Sequence, residues 1–168
     1  MIPLKDVTPS SLRPYVTISL IAACCGVFLW QRSLDLGQRR RVVDALGAIP
    51  AVLTTDARLP QDLQWIPRYG TPFTSMFLHG GWMHLLGNML FLWIYGDNVE
   101  DGLGHLRFLL FYLVCGIAAV FAQALGNPGS PYPIIGASVA FGAHIGGFLT
   151  GLLLAPLLKR RDVKLFGS

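Results

Sequence analysis

Charge is what this sequence has least of. Only 13% of its 168 residues are Asp, Glu, Lys or Arg, against about a quarter in a soluble domain. With 53% of residues hydrophobic, water is excluded as the main solvent; the composition fits a single domain of 1–168 surrounded largely by lipid. Cysteine is scarce too. Cys24, Cys25 and Cys115 all lie in apolar runs, without CxxC or Cys/His spacing, so neither a disulfide framework nor a metal site is implied. The net charge of +4 comes from residues divided among the N-terminus, one loop and the C-terminus. Basic flanks of membrane helices are distributed in this way, which argues against nucleic-acid binding. There is no internal repeat and no low-complexity tract.

Long apolar runs are what is present. The first, about 15–31, follows Lys5 and Arg13 and leads into Arg32 with no small-x-small cleavage site; it predicts a retained helix, not a removed leader. Residues 31–75 hold six arginines and, in VVDALGAIPAVL, an apolar stretch broken by Pro50. That stretch is a poor span and a fair interfacial segment, with Trp65 as an anchor; a solvated loop is the simpler alternative. Further runs at about 76–96, 106–125 and 134–158 predict a bundle of four transmembrane helices, all-α. DNVEDGLGH reads as the turn between the second and third, and GNPGSPYPIIG, rich in glycine and proline, as the loop before the last. The basic cluster Lys159–Arg161 predicts both termini on the cytoplasmic side.

Polar residues at membrane depth need a reason. His84 and Asn88 are four apart and share one helix face. They suit either an oxyanion site, with Asn88 as an amide donor, or an interhelical hydrogen bond. His144, Gly147 and Gly151 share a face of the last helix, and the GxxxG lets another helix approach closely. In such a seam burial favours neutral imidazole, the form a general base needs; a satisfied packing histidine is the alternative. The expected seam is with the helix carrying His84 and Asn88. Ser138 follows Gly136 where a helix begins, as an N-cap or as a nucleophile beside free backbone N–H groups. His79 and His105 read as interface or packing residues. The intramembrane histidines alone would also fit a small pore or transporter subunit.

The combination HGGWMHLLGNMLFLWIYGDNVED (79–101), GAS (136–138) and AHIGGFLTG (143–151), in that order, resembles the rhomboid intramembrane serine proteases over nearly the whole chain. The resemblance implies a Ser–His dyad, with Ser138 as nucleophile and His144 as base, and His84 and Asn88 on the oxyanion side. Gly147 and Gly151 match the small residues that let the histidine helix pack on the serine helix. It implies hydrolysis of transmembrane protein substrates in the bilayer, with no metal or organic cofactor, and a bacterial inner (plasma) membrane location. The alternative is a catalytically inactive rhomboid-like protein that binds transmembrane helices.

Two departures stand out. Val139 occupies the place of the second glycine in the family's Gly-x-Ser-Gly. Family members also carry the serine on the fourth helix and the histidine on the sixth, whereas here GAS runs straight into VAFGAHIGGF. The body of the fourth helix and the whole fifth are missing, an even number that preserves the direction of the last span. On one regular helix six positions rotate by about 600° and rise about 9 Å. Nucleophile and base need heavy atoms about 3 Å apart, so Ser138 and His144 are not expected to pair as neighbours on such a helix.

Overall fold

The computed structural model describes residues 12–136 and 141–160, with the helical backbone alone over 141–146 and at 148. The described residues are helical apart from turns and one isolated antiparallel bridge between Ala48 and Ile134. Helix α1 covers Tyr15–Ser33, α2 Leu36–Leu46, α3 Pro50–Thr54 and α4 Thr71–Ser75. Helix α5 covers Trp82–Leu103, α6 His105–Gly126 and α7 Phe141–Leu158. Among the described residues two helices, α1 and α6, are long and apolar enough to cross a membrane.

Local chemistry explains the segment between α1 and α4. Asp35 caps α2 by accepting from the Gln38 backbone N–H at 2.8 Å, and the Gln38 side chain accepts from the Asp35 N–H in return, a capping box. The Arg39 guanidinium then donates to the Gln31 carbonyl at 3.0 Å, holding α2 to the end of α1. Pro50 starts α3, where its missing N–H costs nothing. The apolar stretch 42–53 is therefore two short helices joined at Gly47–Ile49, each too short to span a bilayer.

Long helices alternate in direction, giving the bundle two distinct ends. Near one end Leu20 packs with Leu103 and Phe108; near the other Cys24 and Phe28 pack with Leu85. At that second end Ala48 and Leu53 also close over Val120 and Ala124 of α6 with Ile134. We call it the loop end, because 34–81 and 127–136 gather there.

The helix boundaries differ from the apolar runs at two places. Residues 76–81, expected within the second span, form a turn, and α5 begins only at Trp82. At its other end α5 continues through Asp97–Asp101, expected as a turn, and stops at Gly104 (φ 80°), a conformation that favours glycine. The acidic residues stay helical because they have partners. Glu100, fully buried, accepts from the backbone N–H groups of Val16 (2.9 Å) and Thr17 (2.8 Å), from the Thr17 hydroxyl (2.7 Å) and from His105 Nδ1 (2.5 Å). Asp101 accepts from the Leu12 N–H at 2.8 Å. Pro14 gives α1 no side-chain cap, so a carboxylate from a distant helix satisfies its first free N–H groups.

Candidate functional site

The site residues named from the sequence divide between described and undescribed positions. His84, Asn88, Gly136, Gly147 and Gly151 are described; Ser138 lies outside the described residues, and so does the side chain of His144. The described part of the site is at the loop end, built on the first turns of α5.

His84 is the third residue of α5. The chain reaches it through the extended Gly81 (φ −177°), which turns the Gly80 N–H back onto the His84 ring: Gly80 N donates to Nδ1 at 3.4 Å. Because Nδ1 accepts, the neutral ring carries its proton on Nε2. That Nε2 is buried and has no hydrogen-bond partner among the described residues. A buried donor left unpaired costs about 1–3 kcal/mol, so an acceptor supplied to this point is bound with that gain.

Gly136 fixes what lies next to Nε2. Its N–H donates to the Ser75 carbonyl at 2.7 Å, anchoring the 127–136 loop on the end of α4. Its φ is +56°, and a Cβ there would come within 2.9 Å of the Leu78 carbonyl, 3.0 Å of His84 Cε1 and 3.2 Å of His84 Nε2. Close approach of the loop to the ring therefore requires glycine. Gly136→Ala should lower stability by about 1–3 kcal/mol through the left-handed backbone and the clash together, read as the unfolding midpoint in mild detergent. An unchanged midpoint would mean that the loop does not sit on His84.

The remaining frame was not legible as a site. His79, expected at an interface or in packing, is buried; its ring lies 5.3 Å from that of His84, tilted by 59°, and its Nδ1 is 3.1 Å from the Phe77 carbonyl. Its backbone N–H donates to Gln31 Oε1 at 3.1 Å. Gln31 and Ser75, both buried, tie α1 and α4 to this corner. The only sequence signal for them is a polar residue at the end of an apolar segment, which many surface residues share. Asn88 lies one turn beyond His84, half-buried, with no protein hydrogen bond among the described residues.

Gly147 and Gly151 are on a different seam from the one expected. A Cβ on Gly147 would lie 3.5 Å from the Ala119 Cβ, and one on Gly151 3.3 Å from the Phe111 ring. The glycine face of α7 is thus turned to α6. Among the described residues helix α7 packs along α6.

Residues 68–142 match the Rhomboid domain family, a stretch that contains His84, Asn88, Gly136 and Ser138 and ends two positions before His144. The chain is 43% identical to the rhomboid protease GluP of Bacillus subtilis over 88 residues, 52% of this chain and 16% of that protein. It is 35% identical to rhomboid-like protease 5 of Toxoplasma gondii over 126 residues, 64% of this chain and 14% of that protein. RHOMBOID-like protein 5 of Arabidopsis thaliana is 30% identical over 80 residues, 48% of this chain and 26% of that protein. The chain therefore spans about a quarter or less of the length of these relatives. No solved structure matches it. The HxxxN helix and the glycine that seats the following loop on its histidine both fall in the stretch 68–142 that matches the Rhomboid domain family.

Proposed function

We propose that this chain carries the site of a rhomboid-type intramembrane serine endopeptidase, with His84 and Asn88 on its oxyanion side and Ser138 and His144 as its nucleophile and base. The observation that carries the reading is the buried, unpartnered Nε2–H of His84 against Gly136. Two peptide units keep the Cα of Ser138 within about 7 Å of that of Gly136, so a carbonyl attacked by Ser138 would develop its negative charge near Nε2. A preorganised donor aimed at developing charge is the largest single contribution in many acyl transfers. Asn88, one turn on, is a second amide donor for the same charge.

In this reading Ser138 attacks the scissile carbonyl of a transmembrane protein substrate. His144 takes the serine proton and returns it to the leaving amine, and water then releases the acyl group. The step has no role for a metal or organic cofactor. The reading is tested by labelling with a fluorophosphonate, argued in the Discussion.

A second reading, a rhomboid-like protein that binds transmembrane helices without cutting them, is favoured by α7. Among the described residues after Gly136 the helix is α7, and its glycine face is occupied by α6. The same helix cannot both continue from the serine and face it across a seam.

Either reading needs the bundle to span the bilayer four times, with both termini cytoplasmic and 31–75 outside. The alternating direction of α1, α5, α6 and α7 and the basic Lys159–Arg161 end support this topology. Reporter fusions at residues 50 and 130 should then report the outer face of the inner membrane, and fusions at 102 and 168 the cytoplasm. An outer-face signal at 168 would sink the arrangement.

A further inference from the structure

The segment 47–71, which the proposed catalytic site does not use, lines a half-open cavity of about 570 Å³, within the range of roughly 300–1,000 Å³ typical of small-molecule sites. Ile49, Val52 and Ile66 form apolar wall; the charged side chains lining it are Asp56, Arg58 and Arg68. The other acids of this region are paired elsewhere, Asp44 with Arg40 and Asp62 with Arg41. Two guanidiniums against one carboxylate leave the cavity with an excess of positive charge. Arg58 is exposed and makes no hydrogen bond or ion pair among the described residues. Arg68 lies over the Tyr69 ring at 4.7 Å and reaches the Thr55 carbonyl only at 3.5 Å, so most of its donors are uncommitted.

Position identifies the kind of anion. The cavity lies at the loop end, where both long apolar helices, α1 and α6, finish, with Leu53 packed on Val120 and Ala124 beneath it. Trp65, Tyr69 and Phe73 along the same segment are 49%, 62% and 45% exposed. Amphipathic rings of this kind settle at the headgroup level of a bilayer. A free phosphate ester offers the arginines the same chemistry, but gives the exposed rings nothing to cover.

We propose that this cavity binds the headgroup of a phospholipid, with Arg58 and Arg68 holding the phosphodiester and Trp65, Tyr69 and Phe73 lying along its acyl side. Planar guanidinium forks suit phosphate oxygens. The assignment is independent of the proteolytic reading.

Native mass spectrometry of the whole chain, released from dodecyl maltoside, tests it. The protein should retain one phosphatidylglycerol about tenfold or more tightly than a diacylglycerol of the same chains, which lacks the phosphate for a charge-assisted contact. Glycerol 3-phosphate in large excess should fail to displace it. Arg58→Gln with Arg68→Gln should reduce retention by about tenfold or more, with the unfolding midpoint in mild detergent unaltered from that of the parent chain. Arg58→Gln alone, at an exposed side chain without partners, keeps the test valid if the double variant does not fold. Equal retention of diacylglycerol, or retention unchanged in the arginine variants, overturns the site. Displacement by glycerol 3-phosphate overturns the lipid assignment in favour of a soluble phosphate ester.

Discussion

An activated-serine probe such as a fluorophosphonate should leave Ser138 unlabelled in the present chain, in detergent and in bilayers alike. The residue types are all there: Ser138, His144, and the His84 and Asn88 donors. In the proposed reading the five residues between Ser138 and His144 are too few to form a separate helix that holds the serine across from the histidine. Helix α7, which begins three positions after Ser138 in the sequence, spends its glycine face on α6. A misplacement of about 1 Å costs on the order of 10²-fold in rate, and in the proposed reading a serine not held against its base is not activated. Inserting the two-helix segment of a close relative between Ser138 and Val139, beginning with glycine, should restore labelling by about 10²-fold or more. The restored label should vanish in Ser138→Ala and His144→Ala, and fall in His84→Ala through loss of the oxyanion donor. If insertion restores nothing while the chain still binds a transmembrane peptide, the non-catalytic reading stands. If the unmodified chain already labels at Ser138 and loses the label in His144→Ala, the dyad does close, in a folded-back loop or between molecules.

Both the legible and the illegible parts of this fold have physical causes. Helices α1 and α6 were readable because hydrophobic length is a property of the sequence alone. The resemblance to rhomboid proteases was readable because HGGWMHLLGN, GAS and AHIGGF place rare polar and small residues at fixed intervals in apolar surroundings. The start of α5 was not, because Met76–Leu78 is as apolar as the helix that follows; what sets the boundary is the tie from the His79 N–H to Gln31, 48 residues away. The end of α5 was misread for the opposite reason. Asp97–Asp101 looks like a solvated turn until Glu100 meets the start of α1 and Asp101 the Leu12 N–H. The His84 tautomer and the approach of Gly136 likewise depend on backbone that folds back locally, and HxxxN spacing alone could not separate an oxyanion donor from an interhelical hydrogen bond. The partner of the α7 glycine face was invisible because GxxxG states that a helix comes close, not which one.

Glu100→Ala should be among the most damaging single changes to the fold, lowering stability by about 3–5 kcal/mol. The carboxylate is fully buried and accepts from four donors, two of them the opening backbone N–H groups of α1. Removing it orphans those N–H groups in a corner closed by Leu20, Leu103 and Phe108, and Pro14 offers no replacement cap. Glu100→Gln should cost less than Glu100→Ala, since one amide oxygen still accepts, but its NH₂ faces donors where an oxygen stood. Thr17→Val removes a single donor and should cost about 1 kcal/mol. In a double-mutant cycle Thr17→Val and Glu100→Ala should be strongly non-additive, because the second loss is already contained in the first. Unfolding midpoints in mild detergent, with labelling of the two-helix insertion variant as a second readout, measure both. Additive losses would mean that Glu100 and Thr17 stabilise the bundle separately, and that α1 is held to the α5–α6 turn by its apolar face alone.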